Sequence, residues 1–266
     1  MEINKEVKLV LCDMDGTLLN SEKQIPIDFE EVYEGLKKQG VTLAIASGRP
    51  FSNVRVKFPT LYHEMSAISE NGGTIFLDGK LIYSEKIPKD CWAPIALQAR
   101  EMDTCSLVVC TLNATYIEDT YDYLVDVARE FYPDLTIIDD LLSVEEEVVK
   151  LSLRDFVDTE TNTIPTFAGK DERLHYAASD KHWLDIMILG MSKGKGVDVL
   201  CEAMNITPDN IMAFGDHFND YEMLEKVKYS YAMENAHPDI KKICSYQCGS
   251  NDENGVMNEL RRVFHL

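Results

Sequence analysis

Val7-Lys8-Leu9-Val10-Leu11-Cys12-Asp13-Met14-Asp15-Gly16-Thr17 is the stretch on which the fold turns. It begins as an apolar run of strand length, then places two carboxylates at the carboxyl end of that run and turns on a glycine. Carboxylates do not belong in an apolar core, because an unpaired buried charge is costly. At the carboxyl end of a strand in an open α/β sheet they stand where ligands bind. An acid there can hold a metal, attack as a nucleophile or move a proton. A turn carrying two solvated acids would look the same locally, so the rest of the chain must decide.

Outward from this stretch, residues 1–80 alternate strands and helices. A helical pattern over Asp28–Gln39 ends at Gly40, Val41–Ala46 is a second buried strand, and Pro50 opens a further helix through Val56. Ala67–Ile68 and Thr74–Leu77 read as short strands around the turn Asn71-Gly72-Gly73. Alternation of this kind implies right-handed βαβ units and a parallel sheet. The middle differs. Ser106–Cys110 and Ala114–Glu118 read as a hairpin, Tyr121–Phe131 as a helix, Val148–Leu153 as a strand, and Arg173–Ala177 with Trp183–Ile188 as an antiparallel pair. From Ser192 the first texture returns, with a helix carrying Val197, Leu200, Cys201 and Met204. The buried strand Ile211–Phe214, the helix Tyr221–Val227, the strand Tyr229–Met233 and a closing helix Val256–Phe264 follow. The expected class is α/β: a Rossmann-like parallel sheet from residues 1–82 plus 189–266, enclosing an inserted α+β domain at 83–188.

Composition narrows the function. The 266 residues are enough for one large domain or two smaller ones with their own cores. A formal charge of -20 repels nucleic acid and anionic membranes, so neither is an expected partner. Residues 83–188 hold 22 acidic and 9 basic side chains, so -13 of the -20 falls on the insertion. One small phosphorylated substrate remains compatible with this field if local cations and a metal reverse it. No apolar run approaches the about 20 residues of a membrane span, and Met1–Glu6 lacks the features of a secretory signal. The 7 cysteines show no CxxC spacing, so zinc and a disulfide framework are not indicated. A reduced, cytoplasmic protein is expected, as a monomer or weak homodimer.

Four features fall at strand ends or helix starts: Asp13 with Asp15; Ser47-Gly48-Arg49-Pro50; Ser192-Lys193-Gly194; and Gly215-Asp216-His217-Phe218-Asn219-Asp220. If the strands are parallel neighbours, all four meet at one sheet edge. In these motifs (DMDGT at 13–17, ASGR at 46–49, SKG at 192–194, GDHFNDYEML at 215–224) the chain resembles the haloacid dehalogenase-like superfamily, specifically its Cof-type phosphatases. SENGG at 69–73, YAMENA at 231–236 and NGV at 254–256 support the resemblance, which spans essentially the whole chain. The insertion matches the substrate-covering cap of that subgroup.

The resemblance implies a Mg²⁺-dependent phosphatase of small phosphorylated metabolites, with sugar phosphates as the leading class. Asp13 would be the nucleophile, forming an aspartyl-phosphate, and Asp15 the general acid and base. Mg²⁺ would be held by the Asp13 and Asp216 carboxylates and the Asp15 carbonyl, since hard oxygens suit it. Ser47, Lys193 and Asn219 would bind the phosphoryl group, and Asp220 would support the metal ligands from behind. Lys195 competes with Lys193, Asn219 and Asp220 also suit a helix cap, and Arg49 suits a nearby salt bridge as well as the site. Cap residues such as Tyr116, His175 and His182 are open to substrate contact, whereas Glu145-Glu146-Glu147 reads as a solvated face. Two rivals keep the reactive aspartate: a phosphomutase, and a phosphoacceptor signalling domain, which needs no inserted lid.

Overall fold

The computed structural model describes residues 3–118 and 122–266. Its strands, numbered in chain order, begin with β1 (Leu9–Asp13), β2 (Thr42–Ala46), β3 (Ser66–Ser69), β4 (Thr74–Leu77) and β5 (Lys80–Ser84). The insertion contributes β6 (Cys105–Thr111), β7 (Thr115–Ile117), β8 (Leu135–Ile137), β9 (Val148–Asp155), β10 (Leu174–Asp180) and β11 (Trp183–Ile188). The chain then returns with β12 (Ile211–Gly215), β13 (Tyr229–Ala232) and β14 (Tyr246–Gln247). One sheet runs β14-β13-β12-β1-β2-β3-β4-β5 and the other β10-β11-β9-β6-β7-β8. The first is parallel from β14 to β3 and antiparallel beyond, and the second is antiparallel except for β7 beside β8.

All five residues of β1 are buried, as a central strand covered on both faces requires. Its register fixes the site. Asp13 lies opposite Ala46, Cys12 opposite Phe214, and Ala46 opposite Ile68, so three neighbouring strands leave the sheet beside β1 at one level. The helix Phe29–Lys38 buries Phe29, Val32, Tyr33 and Leu36, the face that a 3.6-residue period predicts. It stops at Gly40, whose φ of 72° closes the turn while its N–H donates to the Lys37 carbonyl. Each such side chain withdrawn from water contributes roughly 1.5–3 kcal/mol before ordering entropy is subtracted.

Some elements escape the sequence pattern. The strand β5 pairs into the larger sheet, which therefore continues past residue 82 to Ser84. The helix Lys89–Arg100 carries Pro94 inside it, which masks the helical signal. The short pieces β8, β14, Thr163–Phe167 and Pro238–Ile243 have too few residues to show a period. The helix expected from Tyr121 is present as Asp122–Phe131; Tyr121 lies outside the described residues. No helix among the described residues is long and apolar enough to cross a membrane.

Candidate active site

Asp13 is the last residue of β1 and is buried. After it the chain folds back sharply: the N–H of Leu18 donates to the Asp13 carbonyl (3.1 Å) and that of Leu19 to the Met14 carbonyl (2.8 Å). Met14 points into the core, and Gly16 adopts a φ of 81°. A Cβ on Gly16 would lie 2.5 Å from an Asp216 carboxylate oxygen, so both the conformation and the close approach require glycine. Asn235, from the YAMENA stretch, donates to the Gly16 carbonyl at 2.7 Å, and the N–H of His237 donates to the Asp216 carbonyl at 2.9 Å. That stretch buttresses the turn.

Lys193 opens the helix Lys193–Met204, with Ser192 as its N-cap accepting from the Lys195 N–H at 3.2 Å. Its ammonium is fully buried and lies 2.6 Å from both Asp13 Oδ1 and Asp220 Oδ1. Burial opposes its charge, but the two carboxylates outweigh burial and hold it protonated. Lys193 rather than Lys195 therefore stands at Asp13. Asp220 Oδ2 accepts the N–H groups of Asp216 (3.0 Å) and His217 (3.2 Å), so both of its oxygens are engaged.

Asp13, Asp216 and Asp220 present carboxylate oxygens within 4.8 Å of one another. Burial and then the charge of Asp220 push Asp13 well up against the pull of Lys193. The same two causes, burial first, push Asp216 up to about 6, although Thr17 donates to its Oδ1 at 2.9 Å. Negative charge is in excess here, and the donors are hard oxygens. This is what a small divalent cation relieves.

Asp15 points elsewhere. Its carboxylate is gripped by Arg49, Nε to Oδ2 at 2.7 Å and Nη2 to Oδ1 at 2.8 Å, and by Lys23 at 2.9 Å. Burial pushes its pKa up, but the Arg49 and Lys23 contacts win and hold it below the usual carboxylate range. Ser47 follows β2, is buried, and accepts the N–H of Arg49 at 3.1 Å. Asn219 is exposed at the rim and donates to Asn71 Oδ1 at 3.4 Å. Asn71 itself comes from a loop in which Glu70, Asn71 and Gly72 all have positive φ.

Asp13, Asp15, Ser47, Asp216 and Asn219 line one cavity of 390 Å³, with Lys193 and Asp220 packed behind Asp13. The insertion roofs it with Phe131, Tyr132, Lys150, Ser152, Trp183 and Asp185. Tyr116, His175 and His182 are not among the lining residues, and Tyr116 instead donates to Glu146 at 3.0 Å. Glu145, Glu146 and Glu147 are exposed. Lys23 and Lys150 carry no expected role in the sequence and Arg49 only an open one, between the site and a nearby salt bridge, yet all three line the cavity. For Arg49 the ASGR stretch was a visible signal. Lys150 is one residue of an ordinary strand and gave none.

Residues 10–260 match the haloacid dehalogenase-like hydrolase family, so the chain belongs to it, within its Cof-type branch. It is 28% identical over 267 residues to the 5-amino-6-(5-phospho-D-ribitylamino)uracil phosphatase YbjI of Escherichia coli strain K12, covering 97% of this chain and 96% of that one. Phosphatase YwpJ of Bacillus subtilis strain 168 is 26% identical, over 97% of this chain and all (100%) of its own. Among solved structures, SMU.1108c from Streptococcus mutans UA159 superposes with a TM-score of 0.88 at 28% identity, covering 98% and 100% of the two chains. A haloacid dehalogenase-like hydrolase from B. subtilis gives 0.83 at 25% identity, covering 96% and 99%. The chain is thus an enzyme of the phosphoric monoester hydrolase class.

Proposed function

We propose that the protein is a Mg²⁺-dependent phosphatase of small phosphorylated metabolites, sugar and polyol phosphates foremost, working through an aspartyl-phosphate at Asp13. The observation that carries this reading is the buried Lys193 ammonium held 2.6 Å from Asp13, beside an acidic cluster at a cavity that the insertion lines from the opposite side. Three relatives named as phosphatases of 5-amino-6-(5-phospho-D-ribitylamino)uracil lend the polyol phosphate class support.

The Asp13 and Asp216 carboxylates and the Asp15 carbonyl would hold the cation. Bound there, Mg²⁺ would supply positive charge that offsets the repulsion between a phosphate dianion and a carboxylate nucleophile. Asp13 attacks phosphorus in line, and the departing oxygen takes its proton from the Asp15 carboxyl. Asp15, now ionised, takes a proton from the water that attacks the aspartyl-phosphate, and inorganic phosphate leaves with Asp13 regenerated. The donor half of that cycle requires Arg49 and Lys23 to loosen their hold on Asp15 as the phosphoryl group enters. Ser47 and Asn219 orient phosphoryl oxygens, Lys193 neutralises charge next to Asp13, and Asp220 fixes Lys193 and the Asp216 backbone. Residues 85–188 act as a cap that excludes water from the intermediate. The test is phosphate release from a panel of phosphorylated metabolites with Mg²⁺ and with EDTA. Metal-dependent release is expected; turnover undiminished by EDTA would remove the metal, and stable phosphorylation of Asp13 without turnover would favour a signalling role.

A further inference from the structure

The cap side of the cavity has a charge pattern of its own. Lys150 is the only cap cation among the described lining residues, and it is buried. Its ammonium crosses to the core, donating to the Gly48 carbonyl at 2.8 Å and lying 2.6 Å from Glu70 Oε2. Asp185 is 3.8 Å from the same ammonium and accepts from Ser152 at 2.6 Å. One ammonium thus faces two carboxylates. The other lining cations, Lys23 and Arg49, both pair with Asp15 at the phosphoryl end. Around Asp185 the remaining walls are aromatic, with Trp183 5.6 Å from Phe131 and 6.0 Å from Tyr132 between ring centroids.

We propose that this wall selects the leaving group by charge: it accepts phosphate monoesters whose remainder is uncharged and bears hydroxyl or N–H donors, and rejects those carrying a carboxylate or a second phosphate. The inference rests on the phosphatase reading. An added anion would meet the buried Asp185 carboxylate, and recruiting Lys150 to it would strand Glu70, whose side chain is only 2% exposed. A hydroxyl or amine donor meets the opposite situation, since the Asp185–Ser152 pair offers acceptor oxygen beside apolar rings that suit the C–H face of a sugar.

Matched pairs test this: glucose 6-phosphate against 6-phosphogluconate, and fructose 6-phosphate against fructose 1,6-bisphosphate. The expected kcat/KM ratio favours the singly charged member of each pair by about 100-fold, the scale of a like-charge contact in a desolvated site. Asp185→Asn keeps the shape and removes the charge, and should narrow both ratios by at least about tenfold. Wild-type ratios near one would overturn the inference while leaving the phosphatase reading intact. Large ratios unchanged in a folded Asp185→Asn would overturn the assignment to Asp185. If that variant does not fold, the wild-type ratios decide. Absence of turnover on every ester, p-nitrophenyl phosphate included, would overturn both readings together.

Discussion

Two lysines in this molecule are buried between pairs of carboxylates, and the fold holds them in different ways. Lys193 sits between Asp13 and Asp220 at strand ends of one sheet, each contact 2.6 Å. Lys150 sits between Glu70 and Asp185, reaching from the cap strand β9 to a core loop. The first cluster is locked by register, because β1 and β12 are hydrogen-bonded neighbours and Asp220 lies just beyond β12. The second exists only while cap and core are together. An ion pair within one rigid sheet preorganises charge for a reaction, whereas one across a boundary fixes how two bodies dock.

Substitutions should separate the two roles. The largest effect is expected at Asp13: Asp13→Asn removes the proposed nucleophile and should lower kcat by about 10⁴-fold or more with the fold kept, as circular dichroism and steady-state kinetics would record. Lys193→Met comes next. Losing one preorganised cation should lower kcat by about 10²–10³-fold, and leaving two buried carboxylates unpaired should cost about 3–5 kcal/mol in metal-free denaturation. Lys150→Met should carry a comparable stability loss of about 3–5 kcal/mol but a kinetic loss of only about tenfold, expressed mainly in KM. A kcat loss at Lys150 equal to that at Lys193 would erase the distinction between the clusters.

The same contrast explains what could be read in advance. Asp13, Asp15, Ser47, Lys193 and Asp216 sit at ends of apolar runs or at helix starts, so the alternation of strands and helices already brings them to one edge. Lys150 is inside a strand whose period shows only a partly polar face, and its partner Glu70 is far along the chain in a loop of positive φ. Nothing local couples them. Arg49 lay in a visible motif, but its grip on Asp15 depends on two loops that only the folded sheet sets side by side. Pro94 hid a helix for a local reason: a proline inside a helix usually ends it, and here cap packing around Trp92, Ile95 and Ala96 keeps it whole.

The smallest effect sharpens the contrast from the cap side. Asp155, at the end of β9, is a buried carboxylate held by neutral donors: Oδ1 accepts from the N–H groups of Val157 (2.8 Å) and Asp158 (3.0 Å) and from Asn162 (3.0 Å), and Oδ2 from the Thr163 N–H (3.1 Å). Burial pushes its pKa up, but these donors prevail and hold it low, the reverse of the charge-crowded Asp13 and Asp216. Its contribution to stability is therefore present above the unfolded value of about 3.9 and is lost as pH falls through the lower folded one. Asp155→Asn turns one acceptor into a donor facing N–H groups and should cost about 1–3 kcal/mol at pH 7. That gap between wild type and variant should shrink once the pH drops below about 4, because the wild-type carboxyl then takes up the proton it had kept off. Urea titrations across that range would show it; a gap independent of pH would mean that shape, not ionisation, holds the 156–163 loop.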